Sequence, residues 1–232
     1  MPTTFRFRTP AIVAFSAIAV ACASERGTPD DSAAAVAAPA AASSSAAMEM
    51  RLDDTSEAPT GVQRTPIDGG IHVVTGPAAI LYNPSDTVSG NYSVEASFRQ
   101  MKAPEHPEAY GLFAAGTDMT APGVNYLYFL VRRDGKWTLK HRADNETVHT
   151  IQDWTTNSAV QMEDSTGQST NALSMAFGAD SVRFSVNGTQ VHAVPRATLE
   201  SGPDHSGTVG VAGVRINHAL DVQVTGFRIN RM

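Results

Sequence analysis

Residues 171–194, NALSMAFGADSVRFSVNGTQVHAV, alternate apolar and polar side chains in three successive runs. That is the period of a strand with one buried face. Leu173, Met175 and Phe177 share one face, and Val182, Phe184 and Val186 share another such set. Beyond Asn187-Gly188, the residues Thr189, Val191 and Ala193 continue it. Asn-Gly suits a two-residue hairpin loop, because both central residues take positive φ there and these two types tolerate it best. Such a loop sets Val186 opposite Thr189 and Phe184 opposite Val191, so an antiparallel sheet with one buried face is predicted.

The same reading extends along the chain. Residues 71–74 and 79–82 are short strands split by Gly76-Pro77, and Asn83-Pro84-Ser85-Asp86 is a turn cluster. Tyr92, Val94, Ala96 and Phe98 alternate with polar residues in a half-buried strand. A loop over residues 102–108 carries two prolines, and strands follow over 110–114 and 126–131, separated by a Gly/Pro-bearing loop over 116–123. Strands are also expected over 147–154, 208–214 and 220–229. In the last of these the apolar parity switches at Thr225-Gly226, the mark of a bulge. Only residues 195–201 look helical. Roughly a dozen short strands with turn-punctuated spacing predict an all-β, antiparallel two-sheet sandwich.

The loop Arg133-Asp134-Gly135 allows two registers. A two-residue loop would mix apolar and charged side chains on each face. A three-residue loop with Gly135 as the left-handed residue groups Leu127, Phe129, Val131, Trp137 and Leu139. Register follows the buried face, so the second is expected. It leaves Tyr126, Tyr128, Lys140 and Arg142 together on the other side.

Composition differs sharply between the ends of the 232-residue chain. In residues 1–21, Arg6 and Arg8 precede an apolar run over 11–21 that is too short to span a bilayer. Ala19-Val20-Ala21 then stands before Cys22, the only cysteine. This resembles a bacterial lipoprotein signal, in which the cysteine is lipidated and becomes the mature N-terminus, although that pattern prefers Leu where Ala19 stands. Ala-x-Ala also fits an ordinary signal peptidase, which would yield a soluble secreted or periplasmic protein. The expected address is the cell envelope, with membrane attachment through the lipid alone. Residues 22–60 are Ala-, Ser- and Pro-rich and read as a disordered tether, and the folded domain is expected over 61–232. The formal charge is −6; without residues 1–21 it becomes −8, from 15 basic and 23 acidic side chains. An acidic product without Lys/Arg blocks argues against nucleic acid as a partner.

The succession Tyr92–Phe98, Tyr110-Gly-Leu-Phe113, Tyr126-Leu-Tyr-Phe129 with Asp134-Gly135, Val186-Asn-Gly188 and Gly207–Val211 resembles the concanavalin A-like jelly roll. Within it, residues 65–232 are most similar to laminin-G-like and 3-keto-disaccharide hydrolase-type domains of bacteria. The resemblance implies a jelly-roll sandwich and a carbohydrate or other extracellular partner. Ala109-Tyr110-Gly111 replaces the Asn-Ser-Gly step of the hydrolase type, and the Glu-x-Asp-x-Glu triple of endoglucanases with this fold is missing. Retaining glycoside hydrolysis needs two carboxyls about 5–5.5 Å apart, and no strand here supplies them on alternating positions.

The favoured site is a sugar platform formed by His106, Tyr110, Tyr126, Tyr128, Lys140 and Arg142. Aromatic rings stack on the C–H face of a sugar while charged groups bond its hydroxyls. His106 with Glu108, and His218 with Asp221, are the other notable pairs. No zinc spacing is present, and calcium at Asp86, Asp118 or Asp204 has no Asp-x-Asp spacing behind it; no cofactor is expected. The missing carboxylate pair favours a glycan-binding module. The alternatives are a glycoside or 3-keto-glycoside hydrolase-like enzyme using Glu95, His106 or His218, and a structural envelope protein.

Overall fold

Fourteen strands form two antiparallel sheets in a computed structural model that describes residues 48–201 and 206–232. The expected signal, Cys22, most of the expected tether and Asp204 lie outside the described residues. In chain order the strands are β1 (Glu49–Leu52), β2 (Val62–Ile67), β3 (Gly70–Thr75), β4 (Ala79–Val88), β5 (Tyr92–Gln100), β6 (Ala109–Thr117) and β7 (Asn125–Arg132). There follow β8 (Lys136–Arg142), β9 (Val148–Thr156), β10 (Ser169–Phe177), β11 (Ser181–Val186), β12 (Thr189–Pro195), the short helix α1 (Arg196–Ser201), β13 (Gly210–Ile216) and β14 (Asp221–Arg231). Sheet A runs β1-β4-β13-β6-β7-β8-β9, and sheet B runs β12-β11-β10-β5-β14-β3-β2. The architecture is the two-sheet sandwich that the alternation predicts, in the jelly-roll form that the resemblance implies.

One apolar core lies between the sheets. Phe98 of sheet B stacks on Tyr110 of sheet A at 5.5 Å, and Phe129 meets Phe184 at 5.4 Å. Tyr92 stacks on Phe177 at 4.3 Å and donates its hydroxyl hydrogen to the Thr208 carbonyl. A buried tyrosine needs such an acceptor, because an unpaired hydroxyl in the core costs more than the hydrogen bond returns.

The β7–β8 hairpin has the three-residue loop. Arg132 faces Lys136, Phe129 faces Leu139, Val131 faces Trp137, and Gly135 has φ +77°. In the β11–β12 hairpin, Asn187 and Gly188 have φ +50° and +79°, the two positive values that a two-residue loop requires. The β14 bulge falls after Thr225, with Gly226 at φ +61°.

Three expectations are corrected. Val186 faces Thr189, but a shift between Phe184 and Ser185 puts Phe184 opposite His192 instead of Val191. The extra residue reverses parity, so His192 and Val194 turn inward while Ala193 is exposed. Residues 83–86 do not end a strand. They bulge out within β4, between Tyr82 opposite Gly213 and Thr87 opposite Val211. Asn83 Oδ1 accepts from the Ser85 amide and hydroxyl there, so the turn chemistry is real but is accommodated inside the sheet. The folded body also starts before residue 61. β1 pairs with β4 through four residues, and Met48 and Leu52 are buried. An Ala/Ser-rich flank conceals this strand in the sequence.

Candidate functional site

The outward side of sheet A departs from the usual polar surface of a sandwich. Register aligns two rows of side chains across its strands. One runs Glu49, Tyr82, Gly213, Phe113, Tyr128, Lys140, Thr150. The next runs Arg51, Ile80, Arg215, Gly111, Leu130, Thr138. Tyr82, Phe113, Tyr126, Tyr128 and Leu130 form a second apolar cluster here with Ile80, Met119 and Val124, and Trp154 and Val211 pack on it. The glycines let the rows close up. A Cβ on Gly213 would come within 2.7 Å of the Phe113 ring, and one on Gly111 within 2.1 Å of the Phe129 carbonyl oxygen.

Three guanidiniums lie among these rings. Arg215 Nη1 and Nη2 donate to the two carboxylate oxygens of Asp53 at 2.6 and 2.7 Å, and Nη1 also reaches the Tyr126 hydroxyl at 2.6 Å. Arg142 Nη2 donates to Asp53 Oδ2 at 2.9 Å, and the Arg215 guanidinium lies 4.8 Å from the Tyr128 ring centre. Arg51 donates to the Met119 carbonyl and to Asn145 Oδ1. Asp53 follows β1 directly, and its amide donates to the Ala78 carbonyl, which pins it over the sheet edge.

Electrostatics follow this geometry. Burial alone would push the Asp53 carboxyl up; the hydrogen bond and charge of Arg215, then the Arg142 charge and the Tyr126 hydroxyl, outweigh it and hold the group below its ordinary value. Burial pushes the Tyr126 hydroxyl up to about 12, against the pull of Arg215. Burial would favour a neutral Arg215, but Tyr126 and Asp53 keep it charged, with its pKa above the ordinary value. Next to this cluster, a cleft of about 330 Å³ opens at the β1 edge, lined by Met50, Arg51, Thr55, Tyr82 and Met119 among others.

The structure distributes the residues of the expected platform. Tyr126, Tyr128, Lys140 and Arg142 share the outer face of sheet A, with Tyr126 opposite Arg142 and Tyr128 opposite Lys140. Only Lys140 is partly exposed among these four. Tyr110 is corrected: it points into the core, stacked on Phe98, and accepts from Asn171 Nδ2 at 3.2 Å. Strand alternation dictates this, since Tyr110 faces Val131 rather than Tyr126 or Tyr128. His106 is exposed on the loop between β5 and β6, at the Arg132 end of the sheet and away from Arg142.

Glu108 and Asp221 pair with histidines other than those expected. His218 Nε2 lies 2.9 Å from Glu108 Oε1, and Asp221 is bonded by His72 at 2.7 Å. Glu95, a candidate of the hydrolase-like alternative, accepts from Arg228, Ser93 and Asn230. It borders a trough of about 410 Å³ on the outside of sheet B, floored by small residues such as Ser97, Ala172 and Ser174. Among the described residues, no group of three or more His, Cys, Asp or Glu is placed to hold a metal ion.

Sequence reasoning missed Asp53, Arg215 and Trp154. Asp53 lay in the stretch read as tether. Arg215 stands in an apolar run, VGVAGVRI, where its lone charge was the available signal. Trp154, half-exposed, packs against the outer cluster with the Arg132 guanidinium 4.3 Å from its ring centre.

No family model matches the chain, and no curated protein sequence matches it. Solved structures do. A carbohydrate-binding module, CBM66, from Bacillus subtilis superposes with a TM-score of 0.55 at 9% identity, covering 78% of this chain and 95% of that one. A protein of unknown function with a galectin-like fold, also from Bacillus subtilis, gives 0.54 at 14% identity over 80% and 90%. A functionally unknown protein from Saccharomyces cerevisiae gives 0.50 at 9% over 82% and 99%. At these identities the likeness is one of fold.

Proposed function

We propose that the sandwich is a glycan-binding module, exported and held to the cell envelope through a lipid on Cys22. The observation that carries the binding reading is the make-up of the outer face of sheet A. Tyr, Trp and Arg are the residue types that concentrate in binding hot spots, and here Tyr82, Tyr128, Trp154, Arg51, Arg142 and Arg215 gather on one sheet. The likeness of fold to a carbohydrate-binding module supports it. Trp154 and Lys140, both partly exposed, offer a stacking ring and a hydroxyl-bonding ammonium at the β8–β9 side.

A glycan array probed with residues 48–232 tests the reading. The expected result is retention of a defined glycan class, with Trp154→Ala weakening it about tenfold, equivalent to about 1.4 kcal/mol. An array with no retained glycan sinks it and favours a structural envelope role. The anchor is tested separately: Cys22→Ser is expected to move the full chain from the membrane to the soluble fraction, and unchanged fractionation counts against lipidation.

A further inference from the structure

We infer that the Arg142–Arg215 pair is a receptor for the carboxylate of an acidic glycan, and that Asp53 is its built-in occupant, carried on a displaceable strap. The site is the one proposed above, and the sugar identity of the ligand rests on that reading; the carboxylate chemistry stands without it.

The charge count is the first reason. Arg51, Arg142 and Arg215 are all buried on this face, whereas Asp53 is the one carboxylate bonded to any of them among the described residues. A buried guanidinium without compensation is costly, so two of them converging on one carboxylate mark a place built to hold an anion. The second reason is unused donors. The Arg142 and Arg215 side chains are 10% and 7% exposed, and the Nε of each is buried with no hydrogen-bond partner. The third is geometry. Asp53 meets Arg215 with two parallel N–H···O bonds and Arg142 with a third, the fork by which arginine recognises a planar carboxylate.

The strap lies at the margin of the sheet. β1 is a four-residue edge strand paired only to β4, with Met48, Arg51 and Leu52 buried, and residues 54–60 that follow are exposed. A segment with a single strand partner opens locally at lower free energy than the central strands. An attached carboxylate competes at an effective concentration on the order of millimolar, so a simple monocarboxylate cannot displace Asp53 easily. An acidic oligosaccharide can, because it also gains contacts with Lys140 and with Tyr82, Met119 and Tyr128, which the strap flanks. As β1 and Asp53 lift, the ligand carboxylate takes over the same guanidinium nitrogens. No covalent bond is made or broken: one carboxylate replaces another at the guanidiniums, and that of Asp53 passes to solvent.

Two measurements test this. In Asp53→Ala the receptor is empty, and sodium acetate is expected to raise the melting temperature above the value in sodium chloride at equal ionic strength. That specific rise should vanish in Asp53→Ala/Arg215→Gln, and an equal response to both salts would overturn the proposal. In the unaltered protein, an oligogalacturonide is expected to increase hydrogen exchange at residues 48–58 at least tenfold, leaving β5 and β10 unchanged; no change at the strap would overturn it. Acetate rescue without any retained glycan on the array removes the glycan reading and keeps the receptor. Neutral glycans retained without acetate rescue do the reverse.

Discussion

Asp53 carries two guanidiniums at once, from side chains 89 and 162 residues further along the chain. Removing the charge strands both, and breaking one partner out of a buried pair costs about 3–5 kcal/mol. Asp53→Asn keeps the shape and one acceptor oxygen, so a loss near the lower end is expected in chemical denaturation at neutral pH. Because the folded carboxyl titrates below its ordinary value, its contribution is complete above the unfolded pKa of about 3.9 and fades as pH falls through the lower, folded value. The stability gap between wild type and Asp53→Asn should therefore be constant above about pH 5 and close progressively below about pH 4. Thermal melts of both proteins across that range check it. A gap that persists undiminished at the lowest pH at which both fold would contradict the assignment.

At the scale of elements, hairpins set the register that decides which side chains meet. Asn187 holds φ +50° while its Oδ1 accepts from the Ala172 amide and its Nδ2 donates to Ala159 O and Asn171 Oδ1. Asn187→Ala loses the tolerance for positive φ and these three bonds together. At about 1 kcal/mol for each effect, and less than additively, a loss of about 2–3 kcal/mol is expected in urea unfolding. Asn187→Gly retains the backbone freedom and should lose less. Both turn loops were readable from sequence, because Asn-Gly and Asp-Gly report backbone geometry directly. The bulge opposite Phe184 was not: nothing in TQVHAV marks Val191 as the extra residue, and its place is set by His192 reaching the rings of Trp137 and Phe184.

Across the whole molecule, sheet A is completed by a strand that composition assigns to a tether. A protein starting at residue 61 lacks β1 and Asp53 and so leaves Arg142 and Arg215 buried without their counter-ion. One starting at residue 48 keeps them. The shorter protein is expected to melt at least about 8 °C lower, since several kcal/mol are at stake in a domain of this size. Equal melting temperatures would mean that β1 adds nothing to the fold. His106 likewise shows the limit of local reading. Sequence proximity placed it with Tyr110, yet it lies on an exposed loop while Tyr110 faces the core.

The sequence by itself determined most of the strands and their buried faces, both hairpin loops, the β7–β8 register and the sandwich, because side-chain alternation and turn chemistry act over a few residues. It also determined that Tyr126, Tyr128, Lys140 and Arg142 share one face, since that follows from a single hairpin. Only the tertiary structure decided that this face is largely covered, that Tyr110 stands on the opposite side of the sheet, and that Asp53 closes over Arg142 and Arg215. Those contacts join strands from distant parts of the chain through sheet order and the path of an edge segment, and no short-range pattern encodes either.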